Sequence, residues 1–272
     1  MDSDRLWMID TALDFIEAHL EDDVTLEAVA QAAHYSKYHL HRAFSGALGT
    51  TLHQYARRRR LTEAARRLID SCAPLCDLAL AAGYRSQQAF TDAFRAMYKM
   101  PPAEYRRRRA FYPLQLPIRL YPQAPLSAIR PAQERDLPAW MSLLRQVVDG
   151  YPHLDEAEHL AWLKARMARG EALILSSGSR TVGAVGFRCD TGCVDYLGVH
   201  PQYRVPGLSA PLLRAVRQRV PPQQELSLTT YRERDPADPG YRREWKRLGF
   251  LEGELLTEFG YPTQRMIWPV RG

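Results

Sequence analysis

Arg42 and Gln88 are the side chains of this 272-residue chain best suited to reading a base. A guanidinium donates two parallel hydrogen bonds to guanine O6 and N7, and a carboxamide both donates to and accepts from adenine N6 and N7. Each belongs to a polar set at helical spacing: Ser36, Lys37, Tyr38, His41 and Arg42 in the first, and Ser86, Gln87, Gln88, Thr91 and Arg95 in the second. Side chains one turn apart share a helix face, and a helix laid in the major groove offers such a face to base edges. His41 can donate or accept, so its spacing fixes no base preference. Asp92 stands one position beyond Thr91, and a carboxylate accepts only, from cytosine N4, or must keep away from phosphate.

Both sets sit inside a repeat. Ser36, Leu40, Phe44 and Tyr55 recur fifty residues later as Ser86, Phe90, Phe94 and Tyr105. Before each serine lies a short alanine-bearing helix (Ala30 and Ala33, then Ala79 and Ala82) and a two-residue turn, His34-Tyr35 and Gly83-Tyr84. Small residues let two helices cross closely, and a serine cap starts the second, so the repeat predicts two helix-turn-helix units. Thr25 caps a helix over 26–33, Ser36 one over 37–48 that Gly49 ends, and Pro74 opens the second unit, whose reading helix spans 86–97. A helix over 52–71 joins the units, with Leu52, Tyr55, Leu61, Ala65 and Leu68 inward and arginines outward. An amphipathic helix over 4–20 precedes them, and Pro101-Pro102 starts a last short helix ending in Tyr105 and four arginines. A solenoid is the alternative, but two copies fall short of the three that stacking repeats need.

Charge is unevenly spread. Residues 1–27 hold nine acids against Arg5 alone, whereas residues 28–112 hold fifteen Lys or Arg against five acids, with runs at Arg57–Arg60 and Arg106–Arg109. That balance predicts a face for phosphates and an acidic back. No run of 18 apolar residues exists and the chain starts Met1-Asp2-Ser3-Asp4, so no membrane span and no signal segment are expected and the protein is read as cytoplasmic and nucleoid-associated. The cysteines pair as Cys72/Cys76 and Cys189/Cys193, spacings unlike those of zinc sites. No metal is expected; Cys76 at an apolar position and Cys189 and Cys193 beside an Asp190-Thr191-Gly192 turn read as reduced, buried or cross-strand thiols.

Residues 6–107 resemble the DNA-binding domain of AraC/XylS regulators, on Ala79, Gly83-Tyr84, Ser86, Phe90, Phe94-Arg95, Tyr98, Pro102 and Tyr105-Arg106. The resemblance implies a bacterial regulator that binds double-stranded DNA, through two reading helices, and engages RNA polymerase. Lys99 departs from the family, many members of which have glycine there, and Asp92 stands where relatives carry a base-reading arginine.

Residues 111–125 carry four prolines and no acid, and read as a linker between a domain over 1–110 and another over 126–272. The second domain alternates strands (127–130, 171–176, 180–187, 193–199, 225–230, 250–258, 264–269) with helices (136–148, 155–168, 207–219, 239–248), so an α/β fold follows the all-α double helix-turn-helix domain. Residues 199–210 join a strand to a helix, where amides and the helix dipole can hold an anion such as pyrophosphate.

That segment resembles the acyl-CoA loop of GNAT-type N-acyltransferases, with Arg204, Gly207 and Ser209 filling its pattern and Leu208 between them. The likeness extends over 127–269 and implies acetyl-CoA or another acyl-CoA as cofactor, with strand amides from Leu197 to Val199 polarising the thioester carbonyl. Pro206, in the loop, lacks a donor N–H. Trp245 stands where active relatives carry an acidic tyrosine, which leaves Tyr241, one turn earlier, and Asp195, on the preceding strand, as candidates for proton transfer. Two functions follow: a regulator whose GNAT-like domain senses a small-molecule effector or acyl-CoA, or a bifunctional protein with acyl-CoA-dependent N-acyltransferase activity. A dimerisation module without ligand is a third reading.

Overall fold

The computed structural model describes residues 3–120, 124–147, 154–204, 207–258 and 260–270, without the side chain of Arg204. Two compact units divide the chain between Gln123 and Ala124.

In the first unit, α1 (Ser3–Ala18) buries Met8, Ile9, Ala12, Leu13 and Ile16 along one face. Helices α2 (Leu26–Ala32) and α3 (Lys37–Leu48) form the first pair, and α4 (Leu52–Asp70) leads to the second, α5 (Leu75–Ala81) and α6 (Gln87–Tyr98), before α7 (Pro102–Arg108). The caps are those expected. Thr25 Oγ1 accepts from Ala28 N, Ser36 Oγ from His39 N and Ser86 Oγ from Ala89 N, each meeting an amide that the first helical turn leaves unpaired. The turns match as well: His34 and Gly83 are both left-handed (φ 58° and 79°), and Tyr35 N and Tyr84 N reach back to Ala30 O and Ala79 O. Repeat and caps therefore set the same entry into the second helix of each pair.

Two cores lie under the two pairs. Leu40, Phe44, Leu48 and Tyr55 join the α1 stripe in the first. The second is a run of rings, with Phe94 stacked on Tyr98 at 4.4 Å and Tyr105 edge-on to both.

The sequence misassigned two features here. Arg57–Arg60 was expected to face phosphates, yet Arg58 and Arg59 are buried, 6% and 3% exposed. Arg58 Nη2 donates to Leu114 O and Arg59 to Glu17 and Gln115 O, while Arg60 caps Leu20 O and Asp22 O. Guanidiniums tolerate burial where carbonyl and carboxylate oxygens take up their charge, so most of this run is internal wiring. The proline-rich stretch expected to be a linker lies instead along α4, as far as it is described. Tyr112, Leu114 and Ile118 are buried, and Thr62 Oγ1 accepts from both Leu114 N and Gln115 N at 3.1 Å. Proline removes amides that would need partners, which suits an irregular segment packed onto a helix. Residues 121–123 of that stretch fall outside the described residues.

The second unit runs β1 (Arg130–Pro131), α8 (Leu137–Val147), α9 (Glu156–Ala168), β2 (Ala172–Ser177), β3 (Arg180–Phe187), β4 (Val194–Val199), α10 (Pro201–Arg204), α11 (Ser209–Arg217), β5 (Leu226–Tyr231), α12 (Tyr241–Arg247), β6 (Leu251–Glu258) and β7 (Tyr261–Trp268). The strand expected over 127–130 shrinks to two residues, with an isolated bridge from Leu126 to Ser177 beside it. Antiparallel ladders build one sheet in the order β1-β2-β3-β4 and another in the order β5-β7-β6. Among the described residues the sheets meet at one parallel bridge, Cys193 to Ser227, where β4 and β5 start side by side. The core beneath includes Leu173, Val185, Phe187, Leu212, Val216, Leu228, Trp245 and Met266. No helix among the described residues is long and apolar enough to cross a membrane.

Candidate nucleic-acid interface and effector site

Lys37, Tyr38, His41 and Arg42 are exposed on α3, while Leu40, Ala43, Phe44 and Leu48 hold the opposite face in the core. Tyr38 is the most open large hydrophobic side chain among the described residues of the unit, at 79% exposure. Lys37 bridges to Glu27 Oε1 at 3.0 Å and lies over the Tyr38 ring, so the first turn of this helix is braced before any ligand arrives. That contact holds the Glu27 carboxyl below its ordinary range.

On α6, Gln87, Gln88, Asp92 and Arg95 are exposed and Thr91 is half-buried, with Phe90, Phe94 and Tyr98 inward. The structure adds a contact that sequence left open. Gln88 Nε2 donates to Asp92 Oδ1 at 3.0 Å and Oδ2 at 3.1 Å, an i,i+4 pair on the outer face. The sequence therefore located both polar faces, and the fold places each on a helix whose other side is core. Ser36 and Ser86 spend their hydroxyls on capping.

The helix ends differ. Gly49 closes α3 in the left-handed region (φ 69°), and Lys99 closes α6 in the same region (φ 61°), where a Cβ is disfavoured. Beyond it, Arg106 donates to Leu68 O and Ala73 O and Arg108 pairs with Glu104, so the second arginine run is also partly structural.

The candidate effector site of the second unit centres on β4. Its pairing to β3 slips between Tyr196 and Val194, which makes Asp195 the extra residue of a β-bulge. His200 N donates to Val182 O; by the alternation of an antiparallel ladder, Leu197 and Val199 then aim their amides away from β3, toward the β5 side. After β4 the chain makes α10 directly, where sequence suggested an open loop, and Gly207 (φ 79°) turns it into α11. Leu208 and Ser209, both buried, form the start of α11, and among the described residues no side chain caps it. Pro206 and the Arg204 side chain lie outside the described residues.

The two proton-transfer candidates sit in different surroundings. Asp195 Oδ2 accepts from Arg188 Nε at 2.9 Å and from Trp162 Nε1 at 3.4 Å, which raises the Arg188 pKa. Tyr241 stacks on Trp245 with ring centres 6.1 Å apart, against the core. Sequence missed the aromatic nest behind the bulge: Trp140 Nε1 donates to His159 Nε2 at 3.1 Å, and His159 lies 5.0 Å from Trp162 and 5.3 Å from Tyr196. Burial drives the His159 pKa down to about 4. Its signal in the sequence was a histidine three residues before a tryptophan on one helix face, without a visible partner.

Of the cysteines, Cys72 and Cys76 are exposed, which corrects the buried reading of Cys76; helix α5 turns that position outward. Cys189 and Cys193 flank the expected turn, and burial raises both thiols, Cys193 to about 11. Among the described residues no three His, Cys, Asp or Glu side chains gather as a metal centre requires.

Comparison with known proteins bears on the first unit. Residues 29–108 match the family described as "Helix-turn-helix domain". The multiple antibiotic resistance protein MarA of Escherichia coli (strain K12) is 42% identical over 98 residues, 36% of this chain and 77% of MarA. The right origin-binding protein of the same organism is 37% identical over 119 residues, 43% of this chain but 41% of its own length. Among solved structures, an AraC-type transcriptional regulator from Chromobacterium violaceum is 27% identical, covering 38% of this chain and 92% of its own, with a TM-score of 0.37. A GNAT-family acetyltransferase from Bacillus cereus is 15% identical, covering 53% and 98%, with a TM-score of 0.42. With capped, paired helices exposing polar faces and a relative of this identity covered over most of its length, the chain belongs to the AraC/XylS family of helix-turn-helix, DNA-binding transcription regulators.

Proposed function

We propose that α3 and α6 enter successive major grooves of one duplex, about 34 Å apart, and that the second unit senses a small molecule or acyl-CoA whose binding biases this contact and the recruitment of RNA polymerase. The observation that carries the DNA reading is the opposition of faces on the two helices, core on one side and Tyr38, His41, Arg42, Gln87, Gln88 and Thr91 on the other. Arg42 is assigned a guanine and Lys37 and Arg95 neighbouring phosphates.

For the second unit, support comes from the bulge at Asp195, the amide direction of Leu197 and Val199, and the uncapped start of α11 at Leu208 and Ser209 after Gly207. A helix start without a side-chain cap has amides to offer a pyrophosphate, so the residues fit an acyl-CoA. The cofactor would supply an acyl thioester. Sensing is favoured over catalysis because Asp195 is held by Arg188 and Trp162. N-acyltransferase activity with Tyr241 or Asp195 as the proton-transfer group is the second reading.

Titration calorimetry of the full chain with acetyl-CoA and with CoA tests the pair, followed by acetyl transfer to a panel of amines. Binding without turnover, together with a changed operator affinity, is the expected result. Turnover that survives deletion of residues 1–110 would establish the enzyme, and absence of heat at millimolar ligand removes the acyl-CoA assignment.

A further inference from the structure

We propose that Asp92 turns the Gln88–Asp92 pair of α6 into an acceptor-only patch that selects, at the base it meets, those carrying an exocyclic amine, cytosine first and adenine second. The proposal rests on α6 lying in the major groove, and it concerns what that helix can recognise there. A carboxamide is ambidextrous in isolation, with an NH2 that donates and a carbonyl that accepts. Here the ambiguity is removed. The Gln88 NH2 is directed at both oxygens of Asp92, at 3.0 and 3.1 Å, because the carboxylate attracts the amine side and repels the carbonyl. Oε1 is left pointing away from Asp92. The carboxylate keeps further lone pairs, so both exposed groups of this turn accept.

Major-groove edges sort sharply against such a surface. Cytosine presents the N4 amine alone; adenine presents the N6 amine beside the N7 acceptor; guanine presents O6 and N7, both acceptors; thymine presents O4 and a methyl. Two acceptors facing guanine leave three or four lone pairs opposed without hydrogens, so guanine is excluded and cytosine is favoured. Arg42 of the first reader has the opposite character, since an exposed guanidinium only donates. Arg42 and the Gln88–Asp92 pair, on the two helices of the repeat, therefore suit complementary classes of base.

The test is selection of duplexes from a randomised pool by the full chain and by Asp92→Ala, Gln88→Ala and Arg42→Ala. The wild-type protein should enrich cytosine, then adenine, over guanine by roughly tenfold at one base pair outside the Arg42 contact. Asp92→Ala frees the carboxamide to donate and accept together, and should move that base pair to adenine. Guanine enriched by the wild-type protein at the position that Gln88→Ala disturbs overturns the proposal. So does an Asp92→Ala protein that binds all sequences more tightly with the same base preferences, because the carboxylate would then only repel phosphate. If Arg42→Ala relaxes one position and neither α6 variant alters any, α6 is not a groove helix, and the proposal falls with that placement.

Discussion

The Arg59 guanidinium of α4 grips the Glu17 carboxylate of α1 with two prongs, Nε to Oε1 and Nη2 to Oε2, each at 2.8 Å. Tyr55 donates its hydroxyl to the same carboxylate at 2.6 Å, and that contact together with burial raises the tyrosine pKa. Removing the acid leaves a cation whose side chain is 4% exposed with Glu63 Oε1, 3.0 Å from Nη2, as its remaining carboxylate partner. Glu17→Ala should destabilise the first unit by about 3 kcal/mol, read as a shift in the urea midpoint. Replacing both partners together, Glu17→Leu with Arg59→Met, should recover much of the loss. A midpoint that does not move for the single variant would reduce the pair to surface decoration.

Thr62 performs a comparable task with one oxygen. It donates to Arg58 O at 2.9 Å and accepts from two amides of the proline-rich segment. Thr62→Val keeps the shape and leaves Leu114 N and Gln115 N without that acceptor, a loss of roughly 2 to 4 kcal/mol. It follows that a fragment ending at residue 110 should unfold at lower urea than one ending at 120. Equal midpoints would mean that the segment merely rests on α4.

These two contacts mark where sequence reasoning stopped. Spacing and caps gave the helices of the first unit to within a residue or two, because periodicity and a serine or threonine cap are local signals. The fate of Arg58 and Arg59 was not local. Apart from Glu63, one turn beyond Arg59, the partners Glu17, Leu114 and Gln115 lie 42 to 56 residues away, and nothing in a run of four arginines distinguishes a solvated face from a buried clamp. The outer faces of α3 and α6 were legible for the same reason as their cores. The Gln88–Asp92 pair was open to inspection at i,i+4, and what sequence could not supply was the amide's orientation. In the second unit the bulge at Asp195 was invisible, since it depends on register with β3.

Lys99 offers a gain of stability. It holds φ at 61°, in the left-handed region that Gly49 (φ 69°) occupies at the matching end of α3. An L-residue in this region is disfavoured by about 1 kcal/mol, partly offset here by a cation at a helix C-terminus and by the bond from Nζ to Ala96 O at 2.9 Å. Lys99→Gly should raise the melting temperature modestly, and Lys99→Val should lower it. A glycine variant that melts earlier would mean that the ammonium contributes more than the strain removes.

The arginines divide by environment into two kinds of mutant. Arg42→Ala should weaken operator binding and relax selectivity at one base pair, worth about 1 to 3 kcal/mol there. Arg57, half-exposed, remains a candidate phosphate contact, so Arg57→Ala should weaken all sequences and flatten the salt dependence. Arg58→Ala should instead lower the unfolding midpoint, its guanidinium being buried on Leu114 O. Titration of binding against salt for the three variants separates these outcomes, and a uniform loss for Arg42→Ala removes its role as a reader.

His159 makes the second unit acid-sensitive. Its Nε2 accepts from the Trp140 indole, so the folded ring is neutral, and burial lowers its pKa from 6.5 to about 4, against a smaller opposing pull from Glu156. Between those values the unfolded chain binds a proton that the folded unit refuses, so stability falls as pH drops from 6.5 toward 4 and levels off below. The loss should be on the order of 1 to 3 kcal/mol, since the ring is not wholly enclosed. Unfolding by urea, followed through tryptophan fluorescence at pH 7 and pH 4.5, measures it. His159→Gln, which cannot take up the proton, should lose stability at pH 7 yet show little further fall on acidification. An equal fall in variant and wild type would move the acid sensitivity to the carboxylates.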